Sequence, residues 1–222
     1  MSEDATIWIY DDVTPDYWGG VSAKHVLREL DRIGKRKAIT VRINSPGGDV
    51  VEGQAIYNAL RRYSLDGGEV TTEIDALGAS IASYIFQAGD KRKMAENGMQ
   101  MIHRAWTIAL GNAADLRSQA DVLDKFDGIL ADTYAARSGQ TREKIDELLA
   151  AETWLTSKEA VDLGLADEIG TPLNVAAAVK EGRFAKTPER LIAAQLPREA
   201  ARENRIARVR QQIKLDRARM GV

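Results

Sequence analysis

Strand signals that alternate with helical stripes predict a layered α/β domain over residues 5–170, in which βαβ units lay their strands side by side in parallel. Three observations carry this prediction. Short runs rich in β-branched residues lie at residues 5–10 (ATIWIY), 38–43 (AITVRI) and 70–76 (VTTEIDA); stretches of helical period separate them; glycine- and aspartate-rich turns follow them. With 222 residues, 44% of them hydrophobic, the chain is long enough for one domain with a substantial core.

The first strand ends in the turn-rich segment DDVTPDYWGG, residues 11–20. Residues 21–32 then begin a helix with Val21, Val26, Leu27, Leu30 and Ile33 on its apolar side, and Gly34 stops it. The second strand runs straight into Asn44-Ser45-Pro46-Gly47-Gly48. Asp49 follows at an N-cap position with Glu52 three residues on, which predicts a capping box at the head of a helix striped by Val51, Ala55, Ile56, Leu60 and Tyr63. Asp66-Gly67-Gly68 turns the chain into the third strand. Gly78-Ala79-Ser80 then opens an apolar helix over residues 81–88, and residues 99–102 (MQMI) form a short strand ending at His103. Asn112 caps a long helix reaching Arg137, with Leu116, Leu123, Phe126, Leu130 and Tyr134 in its stripe. Residues 141–150 are a further helix, and Thr156-Ser157-Lys158-Glu159 is a capping box for a short one that stops at Gly164. No strand signal follows Thr171. The chain therefore divides into a domain of residues 1–170 and a basic, mostly helical extension of residues 171–222.

Composition removes several classes of function. Without cysteine there are no disulfides or thiolate metal sites, and two histidines, His25 and His103, are too few for the usual zinc ligand set. No metal or other cofactor is expected. No apolar run approaches the roughly 20 residues that span a bilayer, so no membrane partner is expected. The acidic N-terminus MSEDATIWIYDD has neither a basic n-region nor an apolar h-region, which predicts a cytoplasmic protein. The net charge of −2 conceals an asymmetry: residues 186–222 carry ten Lys or Arg against four Asp or Glu, a charge of +6, and the rest carries −8.

The candidate chemistry lies at strand ends and helix starts. Ser80, flanked by Gly78, Ala79 and Ala82, leaves a strand and opens a helix, where small neighbours admit a substrate carbonyl; a serine there is also an ordinary N-cap. Gly47 and Gly48 can aim backbone N–H groups at a ligand, or simply make a tight turn. His103 at its strand end is either a base or a structural histidine, and His25 falls on the polar side of its helix as a surface residue. A base also needs an orienting acid. Thirty-three carboxylates offer themselves, and Glu152, before Thr153-Trp154-Leu155, is either that acid or a solvated one.

Together these segments resemble the Clp protease proteolytic subunits. Ile43-Asn44-Ser45-Pro46-Gly47-Gly48 with Gly53 and Ala55-Ile56-Tyr57 resembles the family's glycine turn and its helix. Ala79-Ser80-Ile81-Ala82-Ser83-Tyr84 with Ala88-Gly89 resembles the nucleophile helix, Met101-Ile102-His103 the base motif, and Glu159-Ala160-Val161 with Gly164-Leu165-Ala166-Asp167 the C-terminal signature. The resemblance runs in family order over residues 5–170 and implies a crotonase-like fold and a serine endopeptidase. By position it makes Ser80 the nucleophile, His103 the general base and Glu152 the orienting acid, with the N–H groups of Gly48 and Ile81 as the oxyanion hole. It also implies peptide or protein substrates and a homo-oligomer of heptameric rings enclosing a chamber.

Three departures from the family pattern stand out. Glu152 replaces the usual aspartate. The chain starts almost at its first strand, so the segment forming axial loops in ATPase-coupled members is expected to be missing. The basic tail is extra, and with the motif Glu-Thr-Trp-Leu-Thr it resembles the phage head-maturation branch, acting in the host cytoplasm or inside proheads. That branch implies capsid or scaffold proteins as partners of the tail; the alternative is a tail helix packed on a neighbouring subunit. Nucleic acid is not expected, because the tail has only Phe184 near it to stack on bases. The alternatives are a housekeeping Clp subunit working with an unfoldase, an inactive assembly protein on the same scaffold, and a crotonase-type acyl-CoA enzyme.

Overall fold

The computed structural model describes residues 5–35, 37–177, 179–180 and 182–192. Its strands are β1 (Ala5–Ile9), β2 (Ala38–Ser45), β3 (Glu69–Ala79), β4 (Lys91–Ala95), β5 (Met99–Ile102), β6 (Thr153–Thr156) and β7 (Glu168–Gly170). They form one sheet in the order β1-β2-β3-β4-β7, parallel throughout; β5 pairs parallel with β3 and antiparallel with β6. The α-helices are α1 (Ala23–Ile33), α2 (Val50–Leu65), α3 (Ile81–Phe86), α4 (Ala113–Ser138), α5 (Arg142–Ala150) and α6 (Ser157–Asp162). This is the predicted mixed α/β architecture. Two compact units divide the chain, Met1–Ala177 and Ala178–Val222. Among the described residues the second holds a 3-10 turn at Glu189–Leu191 and an isolated bridge between Val179 and Ile192. Of the extension expected to be mostly helical, residues 193–222 lie outside the described residues, and the described residues between 171 and 192 hold no α-helix. No helix among the described residues is long and apolar enough to cross a membrane.

Local chemistry sets the helix starts. Ser22 and Thr141 accept N–H bonds from His25 and Lys144, and capping boxes close the heads of α4 (Asn112 with Asp115) and α6 (Thr156 with Glu159). The box expected at Asp49 is only half formed. Asp49 Oδ1 accepts Glu52 N at 2.9 Å, but Glu52 Oε2 accepts Ala23 N at 2.7 Å. Glu52 thus serves a donor at the head of α1 that no intrahelical bond can satisfy.

Alternation along the strands decides which face is core. Ile7 and Ile9, Ile39, Val41 and Ile43, and Val70 and Ile74 point to one side, where they pack with Val26 and Leu30 of α1, Ile56 and Leu60 of α2, and Ile85 and Phe86 of α3. Trp8, Tyr10, Arg42, Glu73, Asp75 and Lys93 stand on the other. There Arg42 bonds both Glu73 and Asp75, Tyr10 donates to Asp75, and Arg42 lies 5.6 Å over the Trp8 ring. Burial, with Asp75 beside it, pushes the Tyr10 phenol up to about 12.

β3 is the strand that bends. Its register with β2 jumps between Ile43↔Ile74 and Ser45↔Gly78, leaving extra residues on β3. Before the jump the other edge of β3 pairs with β4, and after it with β5. β3 thereby carries Ala79, and Ser80 just past it, alongside the strand that leads to His103.

Three strands went unforeseen. β4 reads KRKMA, too charged for a core strand, yet Arg92 is buried by a pair with Asp167 and a 2.7 Å bond to Gln87 Oε1. That pair also docks β7, since Arg92 N donates to Asp167 Oδ2 and Asp167 N to Arg92 O. β6, four residues between a helix and a capping box, reads as a connection until β5 supplies its partner.

Gln100 on β5 is fully buried, and neither amide atom has a hydrogen-bond partner. A buried polar group in that state costs about 1–3 kcal/mol. Gln100→Met, similar in volume and without the polar atoms, is expected to raise the thermal unfolding midpoint. A lower midpoint would show that the amide is satisfied in solution.

Candidate active site

Ser80 stands where β3 ends and α3 begins. Its backbone is at φ 55° and ψ −130°, a left-handed conformation costly for a residue with a side chain. Three bonds hold it there: Ser80 N donates to Met101 O at 2.9 Å, and Ser80 O accepts from both Ser83 N and Ser83 Oγ. The N-cap alternative fails on geometry, because Ser80 makes no side-chain cap bond. Its Oγ lies instead 2.8 Å from His103 Nε2. Both residues are partly exposed, so a substrate can reach them.

The glycine turn lies against this pair. A Cβ on Gly47 (φ +90°) would stand 2.6 Å from Ala79 O, 2.7 Å from Ser80 Cβ and 3.1 Å from Ile81 N. A Cβ on Gly48 (φ +153°) would meet Val13 O at 2.0 Å. Only glycine fits either place. Gly47 O and Asp49 N both bond to Val13, which turns the Gly48 N–H away from Val13. Ile81 N belongs to the first residue of α3 and so has no intrahelical acceptor. The turn and the helix start thus bring two backbone donors to the neighbourhood of Ser80, as an oxyanion hole requires.

Glu152 arrives by register. Ile102 pairs with Thr153 at the end of the antiparallel β5–β6 ladder, so His103 and Glu152 are the next residues of the two segments beyond it. Glu152 has φ 49°, the other non-glycine residue at positive φ among those described, and accepts a bond from Trp154 Nε1 at 3.3 Å. The strained backbone turns the chain from α5 into β6 just ahead of Thr153. His25 is exposed on α1 and takes no part. The arrangement therefore brings together Ser80, His103 and the glycine turn, with Glu152 in the turn just before β6, the strand that pairs with β5.

Two supports were not evident in the sequence. Tyr134 of α4 is buried and bonds Ser83 Oγ at 2.6 Å, and burial pushes its phenol well above the usual value, so it stays a neutral partner. Asp127 of α4 accepts Ala105 N at 2.7 Å, two residues past His103. The sequence shows Tyr134 only as part of the apolar stripe and Asp127 only as one of several acids on α4; their bonds to Ser83 and Ala105 arise from tertiary packing.

Comparison with known proteins agrees with this geometry. The model of the Clp protease family matches residues 1–172. The ATP-dependent Clp protease proteolytic subunit 2 of Tropheryma whipplei (strain Twist) is 28% identical over 173 residues, covering 77% of this chain and 93% of that protein. The proteolytic subunit of Bacteroides fragilis (strain ATCC 25285) is 33% identical over 142 residues, 63% of this chain and 67% of that protein. The one from Ligilactobacillus salivarius (strain UCC118) is 32% identical over 171 residues, 76% and 84% respectively. A match of this extent, on a fold that sets a serine against a histidine beside a glycine turn, means that the chain belongs to the Clp protease family of serine peptidases.

Proposed function

We propose that this chain is a Clp-type proteolytic subunit that hydrolyses peptide bonds with Ser80 as nucleophile. The observation that carries this reading is the 2.8 Å contact between Ser80 Oγ and His103 Nε2. His103 Nε2 takes the hydroxyl proton as Oγ attacks the substrate carbonyl carbon, and the N–H groups of Gly48 and Ile81 receive the oxyanion. Collapse expels the amine, which takes the proton from His103. Water, activated by the same nitrogen, then cleaves the acyl ester. Glu152 holds the imidazole tautomer and supports its cationic form.

The relatives carry names of ATP-dependent proteolytic subunits, which favours the cellular reading, with an ATP-driven unfoldase, over phage head maturation. The second reading keeps one support, the +6 charge of residues 186–222, suited to docking on an acidic capsid or scaffold surface. In either case copies of the chain associate. Trp106, Ile108 and Leu110 in the segment after His103, and Leu116, Val122 and Ile129 on α4, are large apolar side chains left in solvent.

Ser80→Ala is expected to lower kcat for a short fluorogenic peptide by about 10⁴–10⁶-fold with the fold intact; near-normal turnover by the pure variant would end the proposal. Gly47→Ala, which pushes a methyl into Ser80, should slow the same reaction on the order of 10²-fold. Wild-type kinetics in that variant would show that the turn does not set the serine. Light scattering should give a multiple of the 24.4 kDa chain mass, and a monomer at micromolar concentration would remove the assembly.

A further inference from the structure

The segment after His103 leaves the sheet with no regular structure through residue 110. Two bonds fix its first residues. Arg104 N donates to Leu149 O of α5 at 3.2 Å, and Ala105 N donates to Asp127 Oδ1 of α4 at 2.7 Å. The other carboxylate oxygen of Asp127 lies 4.0 Å from Arg104 Nε. The side chain of Asp127 is 19% exposed, whereas that of Arg104 is 58% exposed, so the more enclosed of the two partners is the carboxylate.

The same helix also grips the nucleophile. Tyr134, seven residues after Asp127, bonds Ser83, which in turn bonds Ser80 O; Thr133 bonds Tyr84 at 3.3 Å. Seven residues are two turns, about 10 Å along one side of a helix. Asp127 and Tyr134 thus project from one side of α4, one to the histidine segment and the other to the serine helix.

We propose that Asp127 is a positioning residue: its carboxylate fixes the chain just past His103, so that α4 sets the distance between nucleophile and base. This rests on the reading of Ser80 and His103 as the catalytic pair. Asp127 does not touch the substrate; it acts through the backbone of residues 104 and 105.

The charges around Asp127 give the role a pH signature. Arg104 faces it from the loop, Asp124 from its own helix, and Asp146 from α5, where Arg142 pairs with it at 3.1 Å. Burial raises the Asp127 carboxyl above its ordinary value against the pull of Ala105 N–H and Arg104, and the two nearby acids add to the rise. A raised carboxyl is harder to ionise folded than unfolded, so its charge costs stability near neutral pH, and that cost is relieved as pH falls through the raised value. The charge is thus not kept for stability. On acidification Asp127 takes its proton before ordinary carboxylates do and weakens its hold on the histidine segment.

The test measures kcat and KM for a short fluorogenic peptide, the rate at which a fluorophosphonate labels Ser80, and the pH profile of both, on the full chain. Asp127→Ala is expected to reduce kcat and the labelling rate on the order of 10–100-fold with KM little changed. Asp127→Asn keeps an acceptor oxygen for Ala105 N–H but, like protonated Asp127, lacks the charge, so its rate should fall between those of Asp127→Ala and wild type and it should lose part of the acid limb. Asp127→Ala at the wild-type rate, or losing rate only in step with lost helical circular dichroism, overturns the inference; so does Asp127→Asn as slow as Asp127→Ala. A wild-type protein that is not labelled at Ser80 overturns the catalytic reading and this inference with it, whereas labelled wild type beside an unaffected Asp127→Ala overturns this inference alone.

Discussion

The bond from Ser80 N–H to the carbonyl of Met101, 2.9 Å long, ties the end of β3 to the strand that carries His103 two residues later. A serine at φ 55° carries strain of order 1–3 kcal/mol and relaxes unless its neighbours hold it. This bond and the two that Ser80 O accepts from Ser83 are what hold it. With them in place, the side chain cannot cap its own helix and meets the imidazole instead. Much of the surrounding architecture serves that junction: the register jump in β3, the parallel seat of β5, and a turn at Gly47 with no side chain to push the serine away.

The one-sided sheet follows from the same layout. Helices α1, α2 and α3 cover one face with a continuous apolar core. Parallel sheets usually bury both faces, and their strands then read as unbroken apolar runs. Here the strands alternate, and the second face carries Arg42, Glu73, Asp75 and Lys93, largely paired with one another. Of these side chains only that of Asp75 is fully buried, and its burial is tolerable because Arg42 pairs with it, not because the pair adds net stability. The site lies past the C-terminal ends of β3 and β5, where parallel α/β folds hold their ligands.

Much of this was legible in the sequence, for identifiable reasons. Gly47, Gly48, Ser80 and His103 sit at boundaries where a change of period or a breaker residue marks the place. β4 was hidden because Arg92 finds its partner 75 residues away at Asp167, and no local pattern shows that. Glu152 could be named only by resemblance. Spacing among thirty-three carboxylates selects nothing, and the antiparallel β5–β6 ladder that ends next to Glu152 exists only in the fold. Asp127 had no signal at all, since it is one of several acids on α4 and its role arises from what packs against it.

The central claim is that Ser80 becomes acylated during turnover. Rapid quenching in acid while the protein turns over an activated ester, followed by peptide mapping in a mass spectrometer, tests it most directly. The account predicts one acyl group per chain, on the peptide holding Ser80, disappearing as the ester is exhausted. An acyl group on Ser83, Ser45 or another side chain, or turnover without any acylated protein, would contradict it.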